Sequence, residues 1–70
     1  MNKIQNVLNT LIKIAEENRD LRILGDRQYE YDIPDYIFSK LVSKNIEQKI
    51  LDLMVESKTW ERGIEGFFYK

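Results

Sequence analysis

The sequence predicts an α+β fold with three helices and a small antiparallel β-sheet. Apolar residues recur at the spacing of a helix in three stretches of the chain, at positions 4–15, 33–42 and 46–54. Between and after these stretches, apolar and polar residues alternate with the period of a strand. The chain has 70 residues and no cysteine, so we expect one domain of modest stability that depends on packing, helix caps or association.

The first helix is predicted from the apolar stripe over residues 4–15. Continuing that stripe would place the polar residues Asn18 and Arg22 on the buried face, so we expect the helix to end near Asn18. Alternation at 21–23 and 29–33 then predicts two short strands joined by a turn. An extended loop is the alternative, because two strands alone are marginal in water.

The second and third helices are predicted to follow one another closely. Pro34 suits the first turn of a helix, where its missing N–H has no cost. Asn45, with Gln48 three residues further on, resembles a capping box that begins the third helix. The two helices should therefore pack side by side across a short turn.

The end of the chain has two interpretations. A hairpin is favoured, with residues 61–63 as its loop and Gly63 in a left-handed conformation. The alternative is a helical turn capped by Thr59, followed by one terminal strand. In the hairpin, Trp60, Phe67 and Tyr69 share one face of the sheet, and Phe68 points to the other.

Composition excludes much of enzyme chemistry. The chain contains no His and no Cys, so imidazole bases, thiol nucleophiles and soft metal ligands are absent. Acidic and amide residues alternate between positions 26 and 32 as at the start of a calcium loop. However, Tyr31 and Ile37 stand where such a loop needs Gly and a bidentate Glu. We expect a protein without enzymatic activity, metal or cofactor.

Hydropathy and composition also suggest where the protein acts. Apolar runs are too short for a membrane span or a signal peptide, and 33% of the residues are charged. We therefore expect a cytoplasmic protein without membrane association. The many Ile, Lys and Asn residues are typical of A+T-rich genomes, which suggests a bacterial or phage origin.

Binding to another protein is the first functional hypothesis, and it predicts a small regulatory or inhibitory protein. One candidate surface is the acidic stretch, which we expect on a solvated strand face. The other is aromatic, because a small domain covers only one face of a sheet and should leave at least one large ring exposed. Sealing of the core is the alternative role for the rings. The predicted protein-binding residues are Glu30, Asp32, Asp35, Trp60, Phe68 and Tyr69.

DNA binding is the second hypothesis. Lys40, Lys44 and Lys49, with Asn45 and Gln48, cluster around the junction of the second and third helices. Lysines contact phosphates and amide side chains pair with adenine in helix-turn-helix proteins. The predicted order of elements also resembles the plan of a winged helix-turn-helix. A solvated helix surface is the alternative for these residues, and a homo-oligomeric structural subunit is the third functional hypothesis.

Overall fold

The computed structural model describes residues 2–70, and it confirms the α+β prediction. Three helices pack against one face of a three-stranded antiparallel sheet with strand order β1-β3-β2. The elements are α1 (Lys3–Ile23), β1 (Ile33–Pro34), α2 (Asp35–Leu41), α3 (Lys44–Ser57), β2 (Trp60–Arg62) and β3 (Gly66–Tyr69). The order of helix, strand, helix, helix and hairpin is the order expected from the sequence, except that one strand instead of two lies between α1 and α2.

Helix α1 is longer than predicted and does not end at Asn18. Asn18 lies on the buried face, where its side-chain amide donates to the backbone oxygen of Asp32 at 2.8 Å. One turn further on, Arg22 pairs with the carboxylate of Asp32. Because a partner from elsewhere in the chain satisfies each polar group, the helix continues to Ile23 with both residues in the interface.

The predicted strands at 21–23 and 29–33 are wrong, and the extended loop is the correct alternative. Residues 21–23 belong to α1, which ends at Ile23 and is followed two residues later by Gly25 with a φ of 79°. Only the pair Ile33–Pro34 forms a strand, β1, which lies at the edge of the sheet. Pro34 has no N–H to donate, which an edge strand tolerates because no further strand needs that donor. It precedes α2 instead of lying within it.

The predicted capping box at the start of α3 is also absent. The helix begins at Lys44 and its N-cap is Ser43, whose hydroxyl donates to the side-chain oxygen of Asn45 at 2.5 Å. Gln48 instead donates to Asp52, one turn further along α3. Only Val42 and Ser43 separate α2 from α3, so the two helices are neighbours as expected.

The C-terminal hairpin is confirmed, but its loop lies two residues later than predicted. Residues 63–65 connect β2 to β3, and Gly63 does not have a positive φ. Gly63 and Gly66 are both needed for a different reason. A Cβ atom on either glycine would collide with the ring of Tyr31, which lies against the hairpin. Because glycine has no Cβ, the backbone at these two positions approaches Tyr31 more closely than any other residue would permit.

The hydrophobic core lies between the helices and one face of the sheet. Leu11, Ala15, Ile33 and Ile50 have no exposed surface. Phe38 and Phe67 contact each other with ring centres 5.2 Å apart. The full core consists of Leu11, Ala15, Ile33, Phe38, Val42, Ile46, Ile50, Met54 and Phe67. All three helices thus have one face fixed by packing and the other free to carry polar groups.

Candidate functional site

The lysines and amides predicted as a DNA-binding set form one surface at the start of α3. Lys44, Asn45, Gln48 and Lys49 lie in the first two turns of the helix, and Lys40 lies near the end of α2. All five side chains are exposed. Residues three and four apart are neighbours on a helix, so the four residues of α3 share one face. We call these five residues the α2–α3 surface.

The charges of the α2–α3 surface are not neutralised within the protein. Among residues 2–70, none of its three lysines forms a salt bridge. The ammonium group of Lys40 lies 5.7 Å from the centre of the Tyr36 ring, which is a cation–π contact rather than an ion pair. The surface can therefore offer its positive charges to an anionic partner.

The amide side chains of this surface are held in place by local hydrogen bonds. Asn45 accepts from the Ser43 hydroxyl, and the Gln48 amide nitrogen donates to Asp52 at 2.9 Å. Each amide keeps further donor and acceptor capacity, because one such side chain can make about four hydrogen bonds. Both groups are thus partly ordered and still able to bind.

The core positions this surface rigidly. Ile46, Ile50 and Met54 are buried on the opposite face of α3, and Phe38 and Val42 fix α2 and the turn between the helices. A helix anchored along one face leaves the other face at a defined orientation. The α2–α3 surface therefore has the geometry of a presented helix face, not of a mobile chain end.

Glu47, which lies between these residues in sequence, belongs to a different part of the surface. Its side chain is half-buried and lines a cavity of about 330 Å³ together with Asp35, Phe38 and Arg62. Arg62 also binds Asp35 there, with a nitrogen–oxygen distance of 2.6 Å. The only acidic residue among positions 44–49 therefore lies beside a cation of the hairpin.

The structure does not bring the predicted acidic residues together on a solvated face, and for Asp32 that expectation is wrong. Asp32 is completely buried, with its carboxylate accepting two hydrogen bonds from Arg22 and one from the backbone N–H of Tyr69. Asp35 pairs with Arg62 on the outside of the molecule. Glu30 is exposed, and the side chain of Asp35 is 44% exposed.

Asp32 is instead the centre of a structural network that sequence reasoning missed. It raises the pKa of Arg22, mainly through their hydrogen bonds, whereas burial of the guanidinium acts in the opposite direction. Arg27 lies at 4.0 Å from the same carboxylate. The signal in the sequence was weak, because Arg22 lies ten residues before Asp32 and Arg27 lies within the irregular loop between them, so no helical or strand period relates the three.

The predicted division of the C-terminal rings is correct. Trp60 contacts Phe67 and Tyr69 on the helix side of the sheet, with ring centres 6.4 and 4.7 Å apart. Phe68 points to the opposite face, where it contacts Tyr31 at 5.1 Å.

No ring of the predicted binding set is fully exposed, contrary to expectation. Trp60, Phe68 and Tyr69 are all half-buried. Phe68 is covered by Tyr31 and by the guanidinium groups of Arg22 and Arg27, which lie 5.5 and 5.9 Å from its ring centre.

Some aliphatic side chains, which sequence analysis did not single out, are more exposed than these rings. Val55 on α3 is 78% exposed and Ile64 in the hairpin loop is 89% exposed. Val55 follows the buried Met54 directly, so its position one step off the buried stripe was the available signal.

No protein-family model, curated protein or solved structure matches this chain. Within residues 2–70 there is no helix both long and apolar enough to cross a membrane. The same residues contain no group of three or more acidic side chains close enough together to hold a metal ion. The candidate site therefore rests on its own geometry and charge.

Proposed function

We propose that this protein binds DNA through the α2–α3 surface. The observation that carries the proposal is the group of three unpaired lysines, Lys40, Lys44 and Lys49, around two exposed amides on one helix face. DNA presents a regular array of phosphates, and neutralising them releases bound counterions. A cluster of lysines without internal partners suits that role better than scattered surface charge.

The amides suggest how the protein would read sequence. Asn and Gln side chains can make two hydrogen bonds to the edge of adenine in the major groove. Helix α3 has 14 residues and is therefore roughly 21 Å long, enough to lie in that groove. Asn45 and Gln48 would then face the bases while Lys44 and Lys49 contact phosphates on either side.

Two further features support this assignment. The backbone N–H groups in the first turn of α3 add partial positive charge near Lys44, which favours a phosphate there. The order of elements agrees with that expected for a winged helix-turn-helix. Since folds of one type serve many functions, this likeness supports the proposal by analogy only.

Fluorescence anisotropy with a labelled duplex of mixed sequence tests the proposal. The expected result is measurable binding at low salt that weakens steeply as salt rises. If three phosphates are neutralised, the slope of log affinity against log salt is about −2.7, or roughly a 40-fold loss between 50 and 200 mM salt. The double variant Lys44→Ala, Lys49→Ala should reduce that slope by about 1.8.

The matched control is the double variant Lys3→Ala, Lys13→Ala. These two lysines are also exposed on a helix, but they lie on α1 outside the α2–α3 surface. Equal effects of the two double variants would show that binding is diffuse, and absence of wild-type binding at 50 mM salt would refute the proposal. A variant with both Asn45 and Gln48 changed to Ala should leave the salt slope unchanged but lower discrimination between sequences.

A further inference from the structure

An apolar groove lies between the C-terminal half of α3 and the hairpin. It is lined by Leu51, Met54 and Val55 from the helix and by Trp60 and Phe67 from the strands. It encloses about 330 Å³ and is open to solvent. We call it the α3–hairpin groove, and it is distinct from the α2–α3 surface at the other end of the same helix.

The walls of this groove resemble the contact residues of protein interfaces. Trp60 is half-buried, and its ring is held by an edge contact with Tyr69 at 4.7 Å between ring centres. Val55 stands on the opposite wall with 78% of its surface exposed. Rigid, partly buried aromatic rings beside aliphatic side chains are typical of residues that contribute most to binding.

Every charged residue that lines the groove is cationic. These residues are Lys58, Arg62 and Lys70. Arg62 pairs with Asp35, and Lys70 lies 3.9 Å from Glu61, but all four of these side chains are substantially exposed. Exposed ion pairs are weak, so the cations can exchange these partners for carboxylates of a ligand.

Lys58 is the most available of the three cations. It forms no salt bridge within residues 2–70 and ends α3 in a left-handed conformation with a φ of 59°. Lysine is not the residue that this conformation favours, since glycine adopts it without strain. Lys58 thus places a cation at the rim of the groove, although its backbone conformation suits glycine better.

We propose that the α3–hairpin groove binds an acidic segment of another protein. A large apolar side chain of that segment enters between Trp60 and Val55, and its carboxylates meet Lys58 and the other cations of the rim. Charge complementarity selects this occupant, because a basic segment would be repelled by all three rim cations. The inference does not depend on DNA binding, because it uses a different surface.

Short synthetic peptides provide the test. The probe has a central Leu flanked by Glu residues, and two comparison peptides replace either the Leu by Ala or every Glu by Lys. Binding is followed by the fluorescence of Trp60, the only tryptophan, and by amide NMR shifts of the isotope-labelled full chain. We expect saturable shifts around Val55 and Trp60 with the acidic Leu peptide, at least about tenfold weaker binding of the Ala peptide, and none of the Lys peptide.

Two matched variants locate the site. Val55→Glu places a carboxylate in the groove, whereas Ile64→Glu makes the same change at an equally exposed position that does not line it. Both positions are on the surface, so both variants should fold, which circular dichroism verifies. Val55→Glu should weaken the acidic Leu peptide at least about tenfold, and Ile64→Glu should leave its affinity unchanged.

Several results would overturn the proposal. They are the absence of groove shifts with millimolar acidic peptide, binding of the Lys peptide as tight as that of the Glu peptide, and equal effects of the two variants. Sedimentation that reveals a dimer broken by Val55→Glu alone would identify a second copy of the chain as the occupant. Loss of DNA binding in Val55→Glu, with no peptide binding by the wild type, would assign the groove to DNA.

Discussion

Replacing Asp32 by Asn should destabilise this protein more than any comparable change on its surface. The buried carboxylate accepts from Arg22 at 3.2 and 3.0 Å and from the backbone N–H of Tyr69 at 2.8 Å. Asn keeps one oxygen, but its amide group presents hydrogens where the second oxygen accepted a bond. At least one charge-assisted hydrogen bond is therefore lost, and the charge of Arg22 loses its partner.

The magnitude follows from these contacts. A hydrogen bond to a charged group contributes about 1.5–3 kcal/mol, and breaking a buried ion pair costs about 3–5 kcal/mol. The side chain of Arg22 is 36% exposed, so water compensates part of the loss. We expect a decrease of about 2–3 kcal/mol in the free energy of unfolding, a large share of the roughly 3–5 kcal/mol that a domain of this size holds.

Urea unfolding followed by circular dichroism measures this change. With a denaturant dependence of about 1 kcal/mol per molar, the midpoint should fall by roughly 2–3 M. The matched control is Asp35→Asn, which breaks an ion pair with Arg62 whose side chains are 44% and 54% exposed, so less than about 1 kcal/mol should be lost. A midpoint for Asp32→Asn no lower than that of Asp35→Asn would refute the reasoning.

Two further predictions concern groups that the tertiary structure places under constraint. In Gly66→Ala, the added Cβ would lie 2.6 Å from the ring of Tyr31 and 2.7 Å from a backbone oxygen of β1, so we expect a loss of about 1–3 kcal/mol by urea unfolding. The loss should be smaller in a Tyr31→Ala background, and an equal loss in both would contradict a steric cause. Asn18→Ala removes the 2.8 Å bond to a buried carbonyl and should also cost about 1–3 kcal/mol. Thermal unfolding should distinguish it from Asn9→Ala on the exposed face, where less than about 0.5 kcal/mol is expected, and indistinguishable melting temperatures would rule out the buried bond as a stabilising contact.

The helical periods of the sequence were sufficient to predict three helices, and the paired strands at the end were predicted from alternation. The error in the length of α1 arose because polar residues lie on its buried face. Asn18 and Arg22 break the apolar stripe of α1, which ended the predicted helix too early. Both are tolerated because Asp32, distant in sequence, supplies their hydrogen-bond partners. No local pattern contains that information.

The two candidate surfaces differ in the same way. The α2–α3 surface consists of residues close in sequence, so spacing alone was enough to group Lys44, Asn45 and Lys49. The α3–hairpin groove combines Val55 with Trp60 and Lys70 from other elements. Its composition depends on how the hairpin packs against α3, and it could not be assembled from periodicity.

The sequence by itself determined the class of the fold, the core face of each helix and the opposite orientations of Phe67 and Phe68. These properties depend on the fixed geometry of helices and strands, which repeats within a few residues. Only the tertiary structure decided that Asp32 is buried, that α1 continues to Ile23 and that Trp60 lines a cationic groove. The physical reason is that the cost of burying a polar group, or the exposure of a ring, is set by partners that only the folded chain brings within a few ångströms.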